Sequence, residues 1–449
     1  MKRKTLCGCG GKMSRKFLRK VFFITIPILL GLLGGCSNQF FNDLLSEPTI
    51  ETSLTVPLPS PTAPHATATL PVDPHQITIW VPPQFDSHNN STGRNLLQNQ
   101  LAAFERDNPE YRVVVRAKAL AGPASLIESL QTTAAVAPLA MPGLVALSRS
   151  DLETATLRGL IVPIEGFTRS MEDTDWYDYA RTLATVQNSI MGLPFAGDSL
   201  LIVYRPARLG VKPASWEEIL KTGQPVIFPA DDPQAILAEA LYRSKGGKLQ
   251  DDLGRPALDE KTLASVLIFY ARGFQNGIFP EWISQFQTYD QGWQAYRDQR
   301  GQLAVVWSSQ FLTILPPDTI AAPLFPLGEQ STIPTNGWVW ALSDPLPERR
   351  AVTMRLAETL VQSNFLSNWT YAAGYLPPRP SSLAAWKNQS LQSLANQVIP
   401  GAMILPPNDI QAILTPVLHD TTIKVIKNRL DPIQTAQKAI EQLSPSQTP

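Results

Sequence analysis

The chain has 449 residues, with 38 basic and 38 acidic side chains, so its formal net charge is zero. Four histidines and three cysteines argue against a disulfide framework or a Cys/His metal cluster in a chain of this length. That length exceeds one ordinary hydrophobic core and calls for about two domains.

The first twenty residues carry Lys2, Arg3, Lys4, Lys12, Arg15, Lys16, Arg19 and Lys20 and no acid, and VFFITIPILLGLLGG then runs uncharged from Val21 to Gly35. At roughly 1.5 Å per residue this run falls short of a hydrocarbon core of about 30 Å, which favours a secretory signal over a permanent span. Its end, Leu33-Gly34-Gly35-Cys36, matches a bacterial lipobox: small residues where a peptidase must reach the backbone, then a thiol to carry the lipid. The expectation is that residues 1–35 are removed and Cys36 becomes the anchor on the outer side of the cytoplasmic membrane or in the periplasm. The eight early cations would leave with the signal, making the mature chain acidic by about eight and disfavouring nucleic acid as a partner. Cys7 and Cys9 would leave too, so no disulfide is expected.

Residues 36–75 are rich in Pro, Thr and Ser and read as an extended spacer. Beyond them the composition is globular. ITIWV (77–81) is a predicted strand. RNLLQNQLAAFERDNPEY is a helix with Leu97, Leu101 and Phe104 on one face, capped by Ser91 or Thr92 and stopped by Pro109. YRVVV (111–115) is the next strand. Strand, helix, strand at this spacing implies a βαβ unit and a parallel sheet. GLVAL (143–147), SLLIVY (199–204), GQLAVVW (301–307) and GWVWAL (337–342) continue the strands. SWEEIL (215–220) and LASVLIFYARGFQNG (263–277) read as helices, the second ended by Gly277. After Glu348 the pattern is helical, with Val352, Leu356 and Leu360 on one face and Ser363 capping a further helix that Gly374 closes.

Several of these stretches, in order, resemble the family 1 extracellular solute-binding proteins, the maltose-type receptors of ABC importers. ITIWV with LAAFERDNPEYRVVV is similar to that family's opening. IMGLPFAGDSLLIVYRPARLG with PASWEEIL is similar to its central segment. YRDQRGQLAVVWSSQFL, NGWVWALS, YAAGYLPPRPSS and the tail ILTPVLHDTTIKVIKNRLDPIQTAQKAI resemble its later segments. The resemblance implies an α/β type II periplasmic-binding fold with a ligand cleft between two discontinuous lobes. Matching the segments assigns 76–190 and 303–337 to the first lobe and 191–302 and 338–443 to the second, with 444–449 as a tail. It also implies capture of a small polar solute, most simply a carbohydrate, by hinge closure of a monomer that then docks on an ABC permease. No enzyme activity and no cofactor or metal follow from it.

Sugars present hydroxyl edges and apolar faces, so their sites combine aromatic plates with short polar groups. Trp307 ends a predicted strand and is followed by the polar Ser308, Ser309 and Gln310; its other possible home is the core. Asn336, Gly337 and Trp338 start a strand, where glycine would let a ligand reach backbone amides. In WVW the outer residues share a face, so Trp338 and Trp340 are expected to be one wet and one buried. Asp198 precedes a strand at the crossing between lobes and is either a hydroxyl acceptor or a turn cap. Phe85 and Asp86 follow the first strand. The resemblance adds Tyr375, in the GYLPPR turn, as a solute-facing aromatic or else a clasp for the preceding helix. LVALSRS at 144–150 lacks the aromatic or acid many sugar-binding members carry there. A polyol phosphate, with Arg149 and Arg379 as the suggestive cations, a polyamine, or a sensory lipoprotein that has lost transport are the competing readings.

Replacing Cys36 with Ser is expected to abolish palmitate labelling in a bacterial host. An unlabelled wild-type chain would remove the lipobox assignment.

Overall fold

The computed structural model describes residues 73–86, 91–210 and 212–443. The chain divides into Met1–Thr69 and the compact unit Leu70–Pro449. The signal, the lipidation site Cys36, nearly all of the spacer and the tail 444–449 lie outside the described residues.

Eleven strands are formed among the described residues: β1 Gln76–Val81, β2 Arg112–Ala117, β3 Leu144–Ser148, β4 Thr185–Val186, β5 Ser189–Ile190, β6 Leu193–Tyr204, β7 Val226–Ile227, β8 Leu303–Trp307, β9 Ile320–Pro323, β10 Ile333–Leu342 and β11 Ala402–Ile404. Apart from the β4–β5 hairpin they join one sheet in the order β2-β1-β3-β10-β6-β8-β7, with β11 beside β10 and β9 beside β6. β1 runs parallel to β2 and β3, as the strand-helix-strand spacing predicts. The centre is antiparallel: β10 pairs with β3 and β6, and β6 pairs with β8.

β6 and β10 are the long strands, and each serves two neighbourhoods. The first half of β6 pairs with Gly337–Trp340, and Trp338–Leu342 pairs with β3. The second half, Leu200–Tyr204, lies between β8 and β9, while Ile333–Thr335 pairs with β11. The division of the chain therefore differs from that drawn from segment matching. Residues 303–307 sit beside Leu200–Tyr204 and β7, so they belong with 199–302 and not with 76–190. Conversely, 338–342 pairs with β3, and the helices Arg350–Thr359 and Ser363–Ala373 pack on Thr92–Asp107, placing them with the first lobe. The helices Asn408–Ile426 and Pro432–Leu443 pack on Glu260–Gln275 and stay with the second.

Local chemistry explains the helices. Ser91 Oγ accepts from the Arg94 N–H, and Leu97, Leu101 and Phe104 are buried one turn apart. Ser215 and Asp259 cap their helices in the same way. Ser363 does not cap: Gln362 holds that position without a side-chain bond, and Ser363 is already helical. Gly374 ends this helix at φ 78°, a left-handed turn suited to glycine.

The ends of the two outer segments are pinned by a buried ion pair. Arg349 donates to both oxygens of Asp344, at 2.8 and 2.9 Å, and to the Gln76 carbonyl at 2.7 Å, while Thr353 Oγ1 donates to Asp344 at 2.6 Å. Asp344 is 1% exposed and Arg349 4%. Removing one partner strands the other charge in a low-dielectric interior. Asp344→Ala should therefore cost about 3–5 kcal/mol in urea unfolding; a loss well under 1 kcal/mol would show that the pair is not buried in solution.

Candidate functional site

The crossing of β6 and β10 brings the expected site residues to one neighbourhood. Gly197 lies opposite Gly337, and Asp198 opposite Asn336. A Cβ on Gly197 would come within 2.6 Å of the Tyr179 hydroxyl, and one on Gly337 within 2.6 Å of Leu183 and 2.5 Å of the Ala196 carbonyl. Both glycines let the helix Asp178–Ala184 press on the sheet. The reading of Gly337 as an opening toward ligand is thus corrected, because protein fills that space. Asn336 is half-buried, and its Oδ1 accepts from the Gly337 N–H at 2.8 Å.

On the first-lobe side an aromatic cluster forms. Trp338 meets Phe85 and Tyr375 edge-on, each at 5.3 Å, and Tyr375 stacks on Trp369 at 6.0 Å. Trp340 stacks on Phe195 at 4.3 Å. Phe85, Tyr375, Trp369 and Trp340 are buried, whereas Trp338 is half-buried, which makes it the member with an open face. Trp338 and Trp340 divide as one wetter and one buried, with a β-bulge just after Trp338. Phe85 has no free face: it packs on Phe195, Trp338, Trp369 and Tyr375, which makes it core. Tyr375 acts as the clasp for its helix through Trp369, and burial together with the nearby Asp198 carboxylate holds its hydroxyl pKa far up. The chain after it is tied down by paired bonds between Gly197 and Leu376, both 2.8 Å.

On the other side Trp307 is half-buried and meets Tyr289 edge-on at 5.6 Å. Between the two aromatic groups sits Asp198, which accepts from Ser308 Oγ at 2.8 Å, Ser309 N at 2.9 Å and Ser309 Oγ at 2.6 Å. Ser308 is fully buried, and its Oγ also accepts from the Ser199 N–H at 3.1 Å, so it faces no solute. Ser309 and Gln310, noted in the sequence as trailing Trp307, join it here, whereas sequence reasoning missed Tyr289 and Asp290. Gln310 accepts from the Trp307 N–H at 2.9 Å and donates to Asp290 at 2.7 Å. The T-x-x-Q capping box at Thr288–Gln291 was the available signal for the Tyr289–Asp290 turn.

The two suggestive cations are both consumed within the first lobe. Arg149 pairs with Glu153 at 2.8 Å and donates to the carbonyls of Thr182, Leu183 and Thr185. Arg379 lies 3.9 Å above the Trp176 ring and reaches Asp173, Asp175 and Ser170. Neither offers free charge to an anion. Among the described residues no group of three His, Cys, Asp or Glu is placed to hold a metal, and no helix is long and apolar enough to cross a membrane.

The sequence pattern of the bacterial extracellular solute-binding proteins matches residues 99–395. The chain belongs to that family. Among solved structures it is similar to the sugar-binding protein MalE from Xanthomonas citri, at 16% identity and a TM-score of 0.67 over 82% of this chain and 96% of that one. It is also similar to maltose-bound MalE3 of T. maritima, at 15% identity and a TM-score of 0.64 over 82% and 98%. A tagatose-bound solute-binding protein of Thermotoga lettingae shares 17% identity and a TM-score of 0.65 over 82% and 98%. No curated protein sequence matches the chain. At these identities the likeness is one of fold: the two-lobed α/β architecture of periplasmic binding proteins, as the sequence resemblance implies.

For this family member the electrostatics of the crossing are testable. Burial pushes the Asp198 carboxyl up to about 6, opposed by the bonds from Ser309 and Ser308 and aided by Asp290. Below its ordinary value of 3.8 both folded and unfolded chains carry the proton; between there and about 6 only the folded chain does. Stability from this group therefore falls as pH rises across that window, and the deficit persists above it. Asp198→Asn should be more stable than wild type at pH 8 by an amount on the order of 2 kcal/mol, the gap closing near pH 4. A difference in urea-unfolding free energy that stays flat with pH would refute this.

Proposed function

We propose that the protein captures a neutral carbohydrate in the cleft between its lobes and presents it to an ABC importer, held at the membrane through lipid on Cys36. The observation that carries the reading is the arrangement at the crossing. Half-buried indoles on opposite sides, Trp307 and Trp338, flank a polar centre of Asn336 and Ser309, while Arg149 and Arg379 are both spent on internal partners. Aromatic faces suit the C–H side of a sugar ring and the amide and hydroxyl suit its edges. A phosphate would find neither of these two arginines free to pair with it. The sugars named for the similar structures, maltose and tagatose, agree with this class. Contacts from both lobes would favour the closed form, the state a permease can tell from the empty one. This assigns no chemistry to the protein: its work is selective binding and release.

A thermal-shift panel on the full-length chain tests the proposal, using maltose, maltotriose, tagatose, glycerol 3-phosphate and spermidine. A sugar at 100 times its dissociation constant should add about 2.7 kcal/mol of stability. Glycerol 3-phosphate should leave the transition in place. Trp307→Ala should fold and lose the sugar shift. A shift with spermidine or the phosphate alone, or an undiminished sugar shift in Trp307→Ala, would overturn the assignment.

A further inference from the structure

The helix Ser308–Ile314 starts with an unusual defect, because its N-cap position is Trp307. An indole has no acceptor, so it cannot satisfy the N–H groups that a first helical turn leaves open. A residue from another strand takes that role. Asp198, on β6, accepts the Ser309 N–H together with the Ser308 and Ser309 hydroxyls, and Ser308 Oγ in turn receives the Ser199 N–H. The carboxylate is 6% exposed, and both its oxygens are committed to the amino end of this helix. It is thereby withdrawn from solute hydroxyls. The far side of Trp307 is held independently, by the Gln310 bond to its N–H and by the edge of Tyr289.

We propose that Asp198 is a positioning residue for Trp307: it fixes the amino end of the Ser308–Ile314 helix to the crossing strand and so sets the angle at which the indole enters the cleft. Burying a carboxylate costs free energy unless hydrogen bonds offset it, and here every bond received comes from the two residues directly after Trp307. The three short bonds thus tie the ring's own helix to the part of β6 that faces β10. The functional weight of this inference rests on Trp307 lining the solute cleft, but its structural content does not.

The test needs no solute at first. The full-length chain is labelled with 5-fluorotryptophan, and the Trp307 signal among its ten tryptophans is assigned by its loss in Trp307→Phe. Asp198→Ala should displace or broaden the Trp307 ¹⁹F resonance while signals remote from the crossing stay in place and report an intact fold. Asp198→Asn should restore it, since the amide oxygen still accepts the Ser309 N–H. Should Asp198→Ala not fold, Ser309→Ala removes one of the three bonds and should shift the same resonance in the same direction. A Trp307 signal that keeps its wild-type position in a folded Asp198→Ala, or in Ser309→Ala where only that variant folds, overturns the proposal. Maltose titration then adds a second arm, in which Asp198→Ala should bind about tenfold more weakly, the scale of one lost anchor contact. Weaker binding by Asp198→Asn with an unmoved Trp307 signal would mean that the carboxylate touches solute, and would also overturn it. If maltose fails to bind wild type, the sugar assignment falls while the ¹⁹F result still decides this inference.

Discussion

Two antiparallel strands, β6 and β10, carry the whole architecture, because each is shared by both halves of the molecule. Their contact is made intimate by Gly197 facing Gly337, where a side chain on either would collide with the helix behind or with the opposing backbone. Just beyond, the buried hydroxyls of Ser199 and Thr335 bond to each other at 2.8 Å. The lobes are therefore joined by continuous hydrogen-bonded sheet, and any closing motion must twist that sheet.

Around this crossing the protein uses its charges for architecture. Arg149 is fastened to Glu153 and to three carbonyls at the end of a neighbouring helix. Arg379 lies on Trp176 between two aspartates, and Arg349 closes the edge of the sheet with Asp344. Each guanidinium brings several donors to one spot, which suits it to tying separate chain segments together. The consequence is that these three guanidinium groups are committed to protein partners.

Much of this was legible in the sequence where the cause is local. The helix beginning after Ser91 is specified by its cap and by the spacing of Leu97, Leu101 and Phe104, and β1, β2 and β8 are specified by short β-branched runs. Partners were less legible. β6 begins at Leu193, within a Leu-Pro-Phe-Ala-Gly stretch of poor strand propensity, because pairing with β10 along its first half and the Gly197–Leu376 bridge outweigh the preferences of Pro194 and Gly197. The exchange of 303–307 and 338–342 between lobes has the same origin: which strand lies beside which is a long-range fact that no window of residues contains. At the site, Trp307 ends β8 as expected, whereas Asn336, Gly337 and Trp338, expected at the start of a strand, lie in the middle of β10, because pairing with β6, β3 and β11 extends that strand back to Ile333. Phe85, Ser308 and Tyr375 proved buried because their packing partners, Phe195, Ser199 and Trp369, come from other segments.

The pairing of β3 with β10 also bears on how such a chain is born. β1, β2 and β3 emerge early, yet β3 keeps one open edge until Trp338–Leu342 is made nearly two hundred residues later. Contacts of such large sequence separation assemble slowly. The same pairing that unites the lobes makes the completion of this sheet wait on the last third of the chain.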